Sequence, residues 1–243
     1  MDSTGKTIHT FPGIEALPFV RGAIAPGAQR VALVTGGQGD ADQSNSATLF
    51  EMTPGGNWLP QATLKLPSGA MRIVFSHDAR RLAVGLDDGS VYVYNRRSRG
   101  GVWPPKPDAI LERDKDGIAA DAVAFSPDGD RIVAGDAAGT IRFWTLSSID
   151  ATDAVRGQTA PLRFSGTEVS VSPGSIGGRR SDFQPVESVE AATFTPSGRL
   201  VATAGADGLI RLWNSGNGLQ VLRFPAAGGI IKSLEFSPDG GLL

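Results

Sequence analysis

The sequence predicts an all-β fold built from repeated four-stranded antiparallel sheets, and three observations lead to this prediction. One phrase recurs along the chain, apolar and polar residues alternate with a period of two inside each copy, and turn-forming dipeptides such as Asp-Gly separate the runs. The 32 Gly and 16 Pro residues favour tight turns over long helices. No long stretch has a period of 3.6 residues, so we expect no long helix.

The repeated phrase is clearest in two copies. One copy begins at Phe125, continues with Ser-Pro-Asp-Gly and ends at Trp144, and another begins at Phe194, continues with Thr-Pro-Ser-Gly and ends at Trp213. Further copies are anchored at positions 24, 75 and 236. The spacing of 42 residues between the last two anchors matches one four-stranded propeller blade of about 40–45 residues. The longer spacings therefore indicate blades that carry inserted loops.

These anchors divide the chain into four near-complete units and a truncated fifth. We therefore expect a β-propeller segment, which the missing part of the fifth unit would leave as an open arc. The expected organisation is an outer strand of a preceding blade at 1–19, unit 1 at 20–66, unit 2 at 67–111, unit 3 at 112–164, an insertion at 165–187, unit 4 at 188–225 and the truncated unit 5 at 226–243.

The two ends of the sequence favour a longer natural propeller. We call the four strands of a unit a to d in chain order. Met1 aligns with the Trp position of a repeat, and the fifth unit has a strand a at residues 231–236 but stops inside its strand b. An arc with exposed strand edges is prone to associate. We therefore expect an excerpt of a larger propeller that oligomerises when isolated.

The copies resemble the bacterial-style repeats of the WD-repeat β-propeller family. The family's Trp-Asp signature appears here as Trp144 followed by Thr and as Trp213 followed by Asn. In this family a Trp, a Ser or Thr, an Asp of the b–c turn and a His before strand a form a hydrogen-bonded tetrad in each blade. The resemblance implies such structural roles for Thr203 and Asp207 beside Trp213, and it implies the Asp role for Asp88 in the second unit.

The sequence departs from that tetrad in several places. The third unit has Ala134 and Ala138 where the Thr and the Asp are expected, and every unit lacks the His. Burial of the apolar blade faces nevertheless supplies most of the folding free energy. We expect Trp213 to be a core residue that donates toward Thr203 and Asp207, and we expect its loss to cost more than loss of Trp58 or Trp103, which lie in flanking segments.

Composition excludes several kinds of chemistry. The chain has no Cys and two His, so thiolate sites and multi-histidine metal clusters cannot form within it. Asp40, Asp42, Ser44 and Glu51 match part of the spacing of a calcium loop, but Asn occupies the position where Gly is needed, and we interpret the segment as a solvated loop. No nucleophile–base pair is visible. We therefore predict no catalytic residue, no cofactor and no metal.

Three loops exceed what a blade needs: residues 35–46, 95–108 and 165–187. Loops on a rigid scaffold often carry function, and the second of these loops is locally basic. The alternative for the second loop is a solvated segment whose Trp covers a blade edge. The candidate partner-binding residues are Arg96, Arg97, Arg99 and Trp103 in the second loop and Arg179, Arg180 and Phe183 in the third.

The balance of charge points away from nucleic acids and anionic membranes. Lys and Arg total 23 against 25 Asp and Glu, a net charge of -2, whereas such partners usually require a basic surface. The chain shows no signal peptide or apolar span, so we expect a cytoplasmic protein.

The family resemblance implies a non-catalytic scaffold or sensor that binds protein partners, within a larger signalling protein with an effector domain upstream. The alternative is an enzyme of hydrolase or dehydrogenase type that uses the propeller as its scaffold, with site residues outside this segment or poorly visible in it.

Overall fold

A computed structural model describes residues 11, 19–35, 45–97, 101–112, 118–146, 162–165, 167–170, 188–226 and 228–243. Across these ranges the chain forms strands, turns and loops without a helix, which confirms the all-β prediction. The strands are β1 (Phe19–Ile24), β2 (Arg30–Thr35), β3 (Ser46–Met52), β4 (Trp58–Lys65), β5 (Ala70–Phe75), β6 (Arg81–Leu86), β7 (Val91–Asn95), β8 (Ala109–Glu112), β9 (Ala120–Phe125), β10 (Arg131–Asp136), β11 (Thr140–Thr145), β12 (Leu162–Ser165), β13 (Thr167–Ser170), β14 (Val189–Phe194), β15 (Leu200–Gly205), β16 (Leu209–Asn214) and β17 (Gln220–Pro225).

The strands form four sheets, which we call blades 1 to 4. Blade 1 has the order β1-β2-β3-β4, blade 3 the order β9-β10-β11-β13 and blade 4 the order β14-β15-β16-β17. Blade 2 has the order β5-β6-β7-β8, and β12 is added outside β8 in a parallel pairing. All other pairings are antiparallel.

The innermost strand of each blade packs against the innermost strand of the next. β1 contacts β5, β5 contacts β9, and β9 contacts β14. The first and last of these strands form no comparable interface within the described residues. The blades are thus arranged as an open arc of propeller type, as predicted, and the four inner strands line its central channel.

The hydrophobic core lies between blades rather than inside them. One cluster joins blades 1 and 2, a second joins blades 2 and 3, and a third joins blades 3 and 4. Two glycines permit the close approach that this stacking needs. A Cβ on Gly85 would lie 2.8 Å from the carbonyl oxygen of Ala120, and one on Gly135 would lie 2.3 Å from Cγ1 of Val189. Larger residues at these two positions would push neighbouring blades apart.

The turn between the first two strand positions of units 2 to 5 uses the same hydroxyl network, whereas unit 1 has Ala25 in place of the Ser or Thr. The Oγ of Ser76 accepts the backbone N–H of Arg81 (2.9 Å), and the Oγ of Ser126 accepts that of Arg131 (2.9 Å). Ser237 repeats the bond to the backbone N–H of the residue five positions on, at 2.8 Å. The recurring Phe-Ser-Pro-Asp-Gly phrase therefore encodes one local turn structure.

Arginines at the start of the second strand tie successive blades together. Nη1 of Arg81 donates to the carbonyl oxygen of Gly129 at 2.5 Å, and Nη2 of Arg131 donates to that of Gly198 at 2.9 Å. Nη1 of Arg131 also reaches the Oγ of Ser215 at 2.8 Å. Blades 2 and 3 are thereby hydrogen-bonded to the turn of the next blade as well as packed on it.

The structure corrects the predicted boundary after the third unit. β13 pairs with β11 and is the outer strand of blade 3, yet it lies inside the segment 165–187 that we predicted to be an insertion. β12, predicted to belong to unit 3, pairs instead with β8 of blade 2. The outer strand of a preceding blade was predicted at 1–19. Of these residues, only Phe11 and Phe19 are among those that the structure describes.

The fifth unit forms its turn but not its predicted strand. Residues 231–236 contain no strand. Ile231 donates its backbone N–H to the carbonyl of Gly205 at 3.0 Å, and no partner strand flanks the segment among the residues described. A strand needs a neighbour to satisfy its backbone groups, which explains the difference. Beside it, β17 is exposed along its whole length, including Val221 and Leu222.

Candidate interaction surface at the channel mouth

Charged residues collect where the inner strands of the blades begin. The pairing of the inner strand with its neighbour shifts register at this point in all four blades. Asp121 in blade 3 and Glu190 in blade 4 lie at the shift and have no partner residue in the pairing. Such bulges redirect a side chain out of the regular alternation. Arg21 and Arg72 follow the same shift in blades 1 and 2.

We call these four residues and Lys232 the channel mouth. Nζ of Lys232 lies 3.0 Å from Oε2 of Glu190, and the Oγ of Ser188 donates to Oε1 of Glu190 at 2.8 Å. Arg21 donates its Nε–H to the carbonyl oxygen of Ala70 at 3.3 Å. Cations from blades 1 and 2 therefore share the mouth with carboxylates from blades 3 and 4.

The carboxylates of the mouth differ in their proton affinity. Burial, followed by the negative charge of Glu190, raises the pKa of Asp121. Burial would also raise the pKa of Glu190, but hydrogen bonds from Lys232 and Ser188 hold it below the ordinary value. Asp121 therefore loses its proton less readily than Glu190 does.

Two cavities open along the channel. One of about 860 Å³ is lined by β1, part of β2 and β5, and contains both Arg21 and Arg72. The other, of about 760 Å³, is lined by the ends of the inner strands and by the turns that follow them, including the exposed His77. Arg72, Val74 and Phe75 line both cavities.

The b–c turns of blades 3 and 4 contain an ion pair that our reasoning from sequence missed. Nη1 of Arg142 lies 3.1 Å from Oδ2 of Asp136, and both side chains are more than nine-tenths buried. Arg211 pairs with Asp207 in blade 4 at 2.5 Å. Each Arg stands two residues before the Trp that ends the repeat, and this shared spacing was the available signal.

The tetrad positions are only partly bonded. Nε1 of Trp213 donates to Oγ1 of Thr203 at 2.8 Å, and both residues are buried. Asp207 bonds to Arg211 and to the backbone N–H of Leu209. Asp88 lies exposed in its turn and accepts from the backbone N–H of Ser90 at 2.9 Å.

In blade 3 the corresponding indole lacks an acceptor. Trp144 is buried, and its Nε1 has no hydrogen-bond partner among the described residues. Ala134 occupies the place that Thr203 takes in blade 4, ten residues before the Trp. The alanine that the sequence shows at this position therefore leaves a buried donor unsatisfied.

The basic loop after β7, whose arginines are predicted to bind a partner, also makes contacts within the chain. Nη2 of Arg96 lies 3.3 Å from Oε1 of Glu51, which also binds Arg30 at 3.0 Å. Nη2 of Arg97 lies 2.8 Å from Oδ1 of Asp108. Because Glu51 lies in β3 and pairs with Arg30 and Arg96, we no longer count it among the residues that match the calcium-loop spacing.

Trp103 lies in the same loop, between β7 and β8, but its side chain belongs to the core, so a small cost for its loss is no longer expected. Its side chain is 4% exposed, and its ring lies 6.1 Å from that of Phe75. Pro104 beside it is also buried. The alternative that we considered, a Trp covering a blade edge, is closer to the observed packing.

The remaining predicted loop residues lie outside the described residues: Arg99, Arg179, Arg180 and Phe183. Within the ranges that the structure covers, no three His, Asp or Glu side chains are grouped so that they could hold a metal ion. The same ranges contain no helix that is long and apolar enough to cross a membrane.

Stacked four-stranded blades around a channel define a repeat protein of propeller type. Two segments, residues 111–145 and 182–214, match the family model described as WD domain, G-beta repeat. They coincide with blade 3 up to the end of β11 and with blade 4 up to the end of β16. These two segments are similar to the repeats of the WD-repeat family. Repeats of this family generally serve as scaffolds for protein–protein interaction and are typically not enzymatic.

Proposed function

We propose that this chain is a non-catalytic scaffold or sensor module that binds a protein partner at the channel mouth. The observation that carries the proposal is the collection of Arg21, Arg72, Asp121 and Glu190 at one end of a rigid channel. Charges that are partly removed from water cost stability, and they are typical of sites kept for binding. The blades hold these side chains in place before a partner arrives, which reduces the entropy that association costs.

The broader setting is part of the same proposal. We infer a larger signalling protein with an effector domain upstream, acting in the cytoplasm and without a specific nucleic-acid partner. The near-neutral net charge of -2 supports the last point. No observation on the described residues favours the alternative of an enzyme: His77 lies exposed in a turn, away from a grouping that resembles a catalytic site.

The test begins with affinity capture by the tagged full chain from extracts of the organism that encodes it, followed by titration of each purified partner. The informative variant combines Asp121→Asn with Glu190→Gln, and the matched control is Arg223→Gln on exposed β17. We expect the double variant to weaken binding at least tenfold while the control binds as wild type. Equal binding by all three proteins would place the interaction elsewhere, and turnover in a generic esterase or dehydrogenase screen would favour the enzyme.

A further inference from the structure

Arg72 is the cation of the channel mouth that the protein itself leaves unpaired. It lies on β5 beside the register shift and lines both cavities of the channel. Its side chain is neither hydrogen-bonded nor ion-paired to any other residue in the described part of the chain. The carboxylate of Glu190 at the channel mouth is bonded to Lys232.

This arrangement is unfavourable for an isolated chain. Burial, and after it the like charge of Arg21, lower the pKa of Arg72. A guanidinium carries five N–H donors that match the geometry of a carboxylate. Half-buried arginines are usually paired, because leaving their donors unsatisfied costs free energy. An incoming anion would remove this penalty.

The walls of the 860 Å³ cavity narrow the chemistry of that anion. Apart from Arg21 and Arg72, the described residues that line it are apolar or glycine, and none of them is a carboxylate. A complementary ligand therefore combines a negative charge with apolar groups on both sides of it. Ile24 at the rim is 69% exposed, so the cavity is an open cleft. Small-molecule sites usually bury 70–90% of their ligand, which an open cleft does not achieve, whereas an extended peptide can lie along it.

We propose that this cleft binds a segment of the protein partner in which an Asp or Glu side chain pairs with Arg72 and neighbouring apolar side chains pack on β1 and β5. The proposal rests on the proposed function and adds the chemistry of the recognised segment. It differs from a general attraction between charges, because the carboxylate must reach one guanidinium within an apolar cleft.

The test uses the full chain and a defined probe, the acetylated and amidated peptide Ser-Leu-Glu-Leu-Ser, against its counterpart with Gln in place of Glu. We expect the Glu peptide to bind wild type about tenfold more tightly or better, the ratio expected for a charge-assisted hydrogen bond. Arg72→Met keeps most of the aliphatic volume and should remove the preference, whereas the control Arg223→Met should retain it. Thermal melts at or above the wild-type temperature would show that Arg72→Met is folded.

Three results with defined probes would overturn the inference, and a fourth would come from a captured partner. The first is equal affinity for the two peptides, and the second is a Glu preference that survives in Arg72→Met. The third is binding of octanoate that depends on Arg72 without binding of the peptide, which would make the occupant a small carboxylate. A captured partner that binds Arg72→Met as tightly as wild type would overturn this inference but leave the scaffold function standing, whereas the absence of any partner would count against the scaffold function itself.

Discussion

The hydrogen bond between Trp213 and Thr203 offers a direct measure of how much one tetrad contact stabilises a blade. Thr203→Val removes the hydroxyl and keeps the shape of the side chain, so the buried indole N–H loses the acceptor that now lies 2.8 Å away. A buried donor left without a partner costs about 1–3 kcal/mol. For a chain of 243 residues this corresponds to a fall in melting temperature of about 2–4 °C per kcal/mol.

A double-mutant cycle isolates this contribution from changes in packing. In a Trp213→Phe background the indole N–H is absent, so adding Thr203→Val should then change the free energy of unfolding by less than about 0.5 kcal/mol. Thr63→Val on the exposed face of β4 is the matched control and should be near neutral. The assay is urea denaturation of all five proteins. A loss from Thr203→Val that is equally large in the Phe background would refute the hydrogen bond as its cause.

Three further predictions are also tested by measurements of unfolding. Ala134→Thr should give the indole N–H of Trp144 an acceptor and raise the free energy of unfolding by about 0.5–1.5 kcal/mol; a loss above about 1 kcal/mol would mean that the added methyl group does not fit. Trp103→Ala should cost about 3–5 kcal/mol as a core truncation, and a loss below about 1 kcal/mol would contradict its burial. Because burial and the charge of Glu190 raise the pKa of Asp121, its ionised form opposes folding. Asp121→Asn should therefore melt higher than wild type at neutral pH, with a gap that narrows as pH falls toward 3.8; a gap independent of pH would exclude titration of Asp121 as its cause.

The repeated turns were predictable from sequence because their information is local. In units 2 to 5 a Ser or Thr hydroxyl, followed five positions later by the N–H that it accepts, specifies the turn without help from distant residues. The turn even tolerates Ala79 where units 3 to 5 have Gly, at a φ of 56°, and unit 1 has Ala28 at the same place with a φ of 52°. Left-handed backbone at Ala costs about 1–2 kcal/mol, so the surrounding hydrogen bonds and packing offset that strain.

The candidate site was less predictable because it depends on contacts between blades. Arg96 was expected to face a partner on account of its basic neighbours, yet it pairs with Glu51, 45 positions earlier in the chain. β13 was assigned to an insertion because no repeat motif marks it, and its pairing with β11 is a tertiary choice. Arg72 carried no motif either, and only the register shift and the two cavities reveal its place in the channel.

The distribution of apolar and charged groups explains how a fold with incomplete tetrads is stable enough to hold the candidate interaction surface. The three main core clusters each join two blades, so a blade with an unsatisfied indole, such as blade 3, is stabilised by both of its neighbours. The two glycines at the blade contacts and the arginines that reach the following turn strengthen the same interfaces. Because contacts between blades supply most of the stability, the inner strands can accommodate partly buried charged side chains at the channel. Stacking therefore provides the rigidity of the frame on which, as we propose, the channel mouth with Arg72 recognises a partner.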